Sequence, residues 1–166
     1  GILQYSRIGQ VDVVYEEIDL NVLLIDIIQI IAPPAHIKVE IPVNLPTILA
    51  DKVRLFQVLQ NLFDNAIKYN DKVEGLIQLS VDETEDEWWV GVQDNGIGID
   101  EKHQHKVFQL FHTLTAKDVY NSTGVGLSLI EKSVKNWGGT ISLKSKLGEG
   151  CLFIFTLPKT RKPINE

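Results

Sequence analysis

Three clusters of residues in this 166-residue chain have the types and spacing to do chemistry. Within Asn61-Leu62-Phe63-Asp64-Asn65-Ala66-Ile67-Lys68-Tyr69, the residues Asn61, Asn65 and Lys68 recur at spacings of four and three. On a helix they fall on one face, polar beside an apolar stripe. Asp94-Asn95-Gly96-Ile97-Gly98 follows an apolar run that includes Val90, Gly91 and Val92, which sets a carboxylate at a strand end with flexible glycines beyond it. Gly124-Val125-Gly126-Leu127 opens a third segment with helical spacing, where unpaired N–H groups and the helix dipole favour an anion. Each cluster has an everyday alternative. Asp94 can cap a turn, Asn65 can be a satisfied buried amide, and Gly96 and Gly98 can be ordinary turn glycines.

The elements that must position these residues are legible from periodicity. Asp19 caps a helix over about 20–32 that Pro33-Pro34 ends, and its run of Leu23, Leu24, Ile27, Ile28 and Ile31 predicts that it is largely buried. His36 to Ile41 alternates as a half-buried strand, and Thr47 to Ala50 is expected to pair beside it. Asp51 caps a long helix to about Tyr69 with Val53, Phe56, Leu59, Leu62, Phe63, Ala66 and Ile67 on its apolar stripe. A hairpin of strands over about 76–82 and 88–93 follows, then a long connection over 95–123 with a short helix near 101–111. A connection of that length in a compact domain is usually a lid or binding loop. A helix over about 125–137 stops at Gly138-Gly139, expected at positive φ, and a second hairpin over 140–145 and 151–157 closes the chain. The order predicts an α/β (α+β) two-layer sandwich: a mixed, largely antiparallel sheet of about five strands against three helices.

Composition narrows the function. At 44% hydrophobic and 23% charged residues the chain is globular in type, and one cysteine, Cys151, excludes an internal disulfide and points to a reducing, cytoplasmic setting. Sixteen Lys and Arg against 22 Asp and Glu give a formal charge of −6, which argues against nucleic acid as a partner. Val22 to Ala32 is far shorter than the ~20 residues that span a bilayer. Residues 1–10 lack a signal-peptide pattern and, with Gly1 leading a chain that has no Met, are expected to be the end of a longer segment.

Taken in order, the motifs resemble the catalytic, ATP-binding domain of sensor histidine kinases, within the superfamily of gyrase, the heat-shock chaperone ATPase and mismatch-repair ATPases. Asn61 to Tyr69 is similar to the family's N box, Asp94 to Gly98 to its G1 box, and Gly124 to Leu127 to its G2 box. Phe108 and Phe111 resemble its F box, and Gly148-Glu149-Gly150-Cys151-Leu152-Phe153 its terminal hairpin. The resemblance implies a domain over 11–158, a remnant of a dimerisation helix or linker over 1–10 and a tail over 159–166. It implies ATP and Mg²⁺ as cofactors, with Asn65 as the Mg²⁺ ligand and Asp94 accepting from the adenine amine. The rest of the implied ATP-binding set is Asn61, Lys68, Tyr69, Gly96, Ile97, Gly98, Lys106, Phe108, Phe111, Thr123, Gly124, Val125, Gly126 and Leu127.

By the same resemblance, residues 99–123 form the ATP lid, with Lys102, Lys106, Lys117, His103, His105 and His112 giving it a cationic bias. ATPase branches of the superfamily place a Glu general base one turn before the Mg²⁺ ligand; here Asn61 stands there and cannot take a proton. Asp64, about 100° around the helix, is a poor substitute. Two departures from the common pattern are Ser128 at a third glycine and Val125 at a Thr or Ser. The implied partners are a helical dimerisation and phosphoacceptor domain and, through the full-length protein, a response regulator receiver domain. The parent is expected to be a homodimer and this chain a monomer, without an acceptor histidine of its own. The rival readings are a pseudoenzyme that holds ATP structurally, and a serine-directed kinase or anti-sigma regulator of the same superfamily.

Overall fold

The computed structural model describes residues 13–109 and 126–160. A short antiparallel ribbon comes first, β1 (Tyr15–Asp19) paired with β3 (Thr47–Asp51). Each strand runs directly into a helix: β1 into α1 (Leu20–Ile31), β3 into α2 (Lys52–Lys68). At both junctions an Asp caps the helix. Asp19 Oδ1 accepts from the N–H groups of Asn21 and Val22, and Asp51 Oδ1 from those of Val53 and Arg54. Asp51 also holds the Arg54 guanidinium in a buried ion pair. An Asp at this position satisfies N–H groups that have no partner within the helix, a contribution of about 1 kcal/mol.

The main sheet has five strands in the order β2-β4-β5-β7-β6: β2 (Ile37–Glu40), β4 (Gly75–Glu83), β5 (Glu87–Asp94), β6 (Ile141–Lys146) and β7 (Gly150–Pro158). Only β2 with β4 is parallel; the other neighbours are antiparallel, so the expected mixed, largely antiparallel sandwich is what the chain forms. Two further helices are described, the one-turn α3 (Glu101–Gln104) and α4 (Gly126–Asn136). Alternation sends Ile77, Leu79, Val90, Val92, Phe153 and Phe155 toward the helices, where they close on Leu59, Leu62, Phe63 and Ile130. Asp94 and Cys151 keep the same parity and point to that side too.

Several expectations need correction. Tyr15–Asp19 is a strand, and Thr47–Asp51 pairs with it rather than with Ile37–Glu40, which joins β4 instead. Helix α1 buries Leu20, Leu23, Leu24 and Ile27, but Val22, Ile25 and Ile30 are exposed beside Asp26 and Gln29, so it is amphipathic rather than largely buried. Val53 is also exposed, because it lies on the face of α2 opposite the buried stripe of Leu55, Val58, Leu59, Leu62 and Ala66. Of the two glycines after α4 only Gly138 has a positive φ; Gly139 is needed because a Cβ there would overlap the Thr156 carbonyl oxygen. The helix expected over 101–111 is confined to Glu101–Gln104 within the described residues.

Candidate functional site

A hollow lies between α2, the end of β5 and the start of β7. Asn65 and Tyr69 reach it from α2, Asp94 from β5, Ile97, Gly98 and Ile99 from the loop that follows, Leu127 from α4, and Cys151 and Phe153 from β7. Its enclosed part measures about 20 Å³, the space of roughly one water, and it continues into open solvent. It is the floor of a larger cleft.

Asp94 is the only carboxylate in the lining. Its Oδ1 accepts from the backbone N–H of Gly96 at 2.8 Å and of Cys151 at 3.3 Å, which does close the turn. The same bonds fix the carboxylate's plane, and Oδ2 has no partner among the described residues. Burial pushes this carboxyl above the usual carboxylate range, and the two N–H groups offset part of that rise. Asp94 therefore serves as turn cap and as a partly desolvated acceptor at once. Adenine offers an exocyclic N–H at such a group, whereas guanine offers a carbonyl that would leave two acceptors facing each other.

The glycines around Asp94 let three backbones cross. A Cβ on Gly96 would overlap the Tyr69 carbonyl oxygen, which instead accepts from the Ile97 N–H at 3.0 Å. Gly98 has φ +69° and Gly150 φ +93°; side chains there would overlap the Lys146 and Asp94 carbonyl oxygens. Asn95 does structural work: its Oδ1 accepts from Leu76 N–H and Asn70 Nδ2, and its Nδ2 donates to Glu74.

On α2, the side chains of Asn61 and Asn65 have no hydrogen-bond partner among the described residues. An amide left unpaired beside a cleft fits a ligand role better than a packing role. Among the described residues no three His, Cys, Asp or Glu converge, so no cage for a metal exists. One neutral oxygen from Asn65 would suit Mg²⁺, an ion that takes its other ligands readily from water and phosphate. Asn61 faces the start of α4, its Oδ1 about 4.0 Å from where a Gly126 Cβ would lie. Asp64 is exposed and lines nothing in the hollow.

Other expected site residues lie at its margin. Lys68 is exposed, with Nζ 5.2 Å from the Tyr69 ring centre. Lys106 belongs to the turn after α3 and does not line the hollow. Phe108 packs edge-on against Phe153, centroids 6.1 Å apart, and its carbonyl accepts from Ser128 Oγ at 3.0 Å. Ser128 thus pins the segment after α3 to α4. Gln104 adds a second pin, its Nε2 donating to the Ile99 and Ser145 carbonyls. Phe111, Thr123, Gly124 and Val125, with His112 and Lys117, lie outside the described residues.

Sequence reasoning missed Ile99, Cys151 and Phe153. Strand alternation was the available signal for the last two, since Cys151, Phe153 and Phe155 share a parity. Cys151 is tucked against Ser145 Oγ, and burial pushes its thiol up to about 11, with the nearby Asp94 charge adding to the rise.

A buried carboxylate at a strand end, two amides one turn apart on a flanking helix and a loop held to α4 and β6 thus stand together on a two-layer sandwich. A family model described as histidine kinase-, DNA gyrase B- and HSP90-like ATPase matches residues 50–161. The chain belongs to that family. It is 41% identical over 114 residues to cyanobacterial phytochrome A of a Nostoc strain, covering 69% of this chain and 15% of that protein. Cyanobacterial phytochrome B of the same strain is 35% identical over 95% of this chain and 22% of its own length. The chain therefore spans less than a quarter of these relatives. Among solved structures it resembles full-length ShkA in complex with AMPPNP, with TM-score 0.79, 26% identity and coverage of 98% of this chain and 36% of that one. It also resembles the nucleotide-free catalytic domain of histidine kinase ThkA, with TM-score 0.73, 28% identity and coverage of 88% and 98%. Among the described residues no helix is long and apolar enough to cross a membrane.

Proposed function

We propose that this chain is the ATP-binding catalytic domain of a sensor histidine kinase, which hands the γ-phosphoryl group to a histidine on a separate helical dimerisation domain. The observation that carries the reading is that Asp94, whose Oδ2 has no partner among the described residues, shares one hollow with Asn65, whose amide has none among them either, with Asn61 one turn earlier on the same helix. Asp94 holds the base, and Asn65 is the residue to hold Mg²⁺, which when bound would draw together and neutralise phosphate oxygens. Lys68 and Tyr69 close the phosphate side, and Gly124 to Leu127 are the residues whose N–H groups would receive phosphate oxygens. Asn61 offers an amide where hydrolytic relatives need a proton acceptor, so water is not activated and the phosphoryl group is kept for an outside nucleophile. What remains for the protein is positioning.

In this reading residues 1–10, which lie outside the described residues, are the remnant of a dimerisation helix or linker, residues 11–158 are the domain and 159–166 a tail. The partners are that helical domain and a receiver domain, within a homodimeric parent. The test is labelled ATP added to this chain with a histidine-bearing helical domain of the same kinase, using Asn65→Ala and Asp94→Ala as controls. Label on the acceptor with wild type alone supports the proposal. Tight ATP binding with no label on the acceptor overturns it in favour of a structural nucleotide.

A further inference from the structure

The sheet face that turns away from the helices carries a second hollow, of about 190 Å³, remote from Asp94: Ser80, Asp82, Trp89, Gly91 and Ile154, of opposite parity, make its body, and Glu83 and Thr84 close its end. Gly91 forms its floor, Trp89 and Ile154 its walls, and Ser80 and Asp82 its rim. Gly91 is what sinks the floor: it pairs with Ser80 on one side and Ile154 on the other, and a Cβ would press against Ser80 Oγ. Trp89 is 42% exposed above this trough, directly across from Asp82 in the register.

One register step away, where Glu83 closes the end of the trough, the same combination occurs with a cation in place. Glu83 pairs with Trp88 across the strands, and the Lys159 ammonium sits 4.6 Å from the centre of the Trp88 ring while donating to Glu83 at 2.6 Å. Both attractions, carboxylate and ring face, converge on a single cation. Asp82 with Trp89 repeats the carboxylate–indole pair, yet no described cation reaches Asp82. The Asp82–Trp89 pair stands over the body of the trough, where an aliphatic stem has room beside Ile154.

We propose that this face is a docking site for a lysine-bearing segment of a partner protein, the lysine stem lying in the trough over Gly91 and its ammonium meeting Asp82 and the Trp89 ring. The site is independent of the nucleotide cleft. It is tested on the full chain by following the Trp89 indole N–H and the Gly91 amide in two-dimensional NMR during titration with a blocked tetralysine peptide. Trp89 is assigned with Trp89→Phe. The expected result is a saturable shift focused on these two signals, weakened at least fivefold in Asp82→Asn and absent with the fully acetylated peptide. Asp82→Asn is exposed and should leave the melting temperature unchanged, which separates docking from folding. Shifts spread evenly over the acidic surface, or equal affinity in Asp82→Asn, overturn the proposal. So does a Trp89 signal in the free chain that moves on deleting residues 161–166, which would make the chain's own tail the occupant. A Trp89 signal that moves with protein concentration overturns it as well, in favour of a second copy.

Discussion

Replacing Asp94 by Asn separates the two jobs its carboxylate does. The amide keeps an oxygen where Oδ1 accepts from Gly96 and Cys151, so the turn survives, but it puts an N–H₂ where Oδ2 faces the cleft. Adenine would then meet donor with donor. Losing a hydrogen bond to a charged group costs about 1.5–3 kcal/mol, which weakens ATP binding by roughly 10- to 150-fold. Stability should move the other way. Burial raises the carboxyl's folded-state pKa, so its ionised form disfavours the folded state at neutral pH, and that penalty vanishes as pH falls below the unfolded value near 4. Asp94→Asn should therefore melt at or above the wild-type temperature at pH 7, and its advantage should shrink toward pH 4. Calorimetric ATP titration and thermal unfolding at both pH values check the two halves. Unchanged ATP affinity would refute the assignment of Oδ2 to the base, and a melting temperature several degrees lower at pH 7 would show that the charge itself holds the turn.

Asn65→Ala should leave the melting temperature nearly unchanged, since the amide makes no described protein contact, while abolishing the gain in ATP affinity that Mg²⁺ confers over EDTA. Asn61→Glu should raise steady-state phosphate release from the chain alone; no rise would remove Asn61 as the reason for slow hydrolysis. Gly150→Ala combines a φ of +93° with overlap on the Asp94 carbonyl, whereas Gly148→Ala has φ +84° and nothing within 4 Å. Urea unfolding should show about 1 kcal/mol lost at Gly148 and clearly more at Gly150. Ser133 is fully buried with an unpartnered hydroxyl, so Ser133→Ala should stabilise by about 1 kcal/mol in the same assay. With its thiol raised to about 11, Cys151 should react with iodoacetamide at pH 7.5 at least tenfold more slowly than free cysteine.

What could be read without coordinates was what is written locally. Asn61, Asn65 and Tyr69 lie within one helix, and Asp94 to Gly98 within one turn, so spacing alone placed them. Pairing between distant segments was not readable in that way. In Tyr15-Glu16-Glu17-Ile18-Asp19 only Ile18 is buried, which leaves no alternation to mark a strand, and nothing local to Thr47–Asp51 says which neighbour it takes. Cys151 meets Asp94 across 57 residues of sequence, through strand register rather than any motif. The outward face of α1 escaped for a different reason: Val22, Ile25 and Ile30 are apolar yet exposed, and hydrophobicity cannot tell a face turned to solvent from one turned to the core.

The ribbon of β1 and β3 is a mechanical coupling. Tyr15, the first residue of β1, lies opposite Asp51, the residue that caps α2. Tyr15 and Asp51 form the same end of the antiparallel ribbon, so a pull on the chain ahead of Tyr15 is felt first at the Tyr15–Asp51 pair. The load is delivered at the root of α2, next to the buried Asp51–Arg54 pair. That helix is a rigid rod of 17 residues with Asn61 and Asn65 along its shaft and Tyr69 at its tip. Tyr15 and the wall of the cleft are thus joined through Asp51 and α2, with no strand of the five-stranded sheet between them.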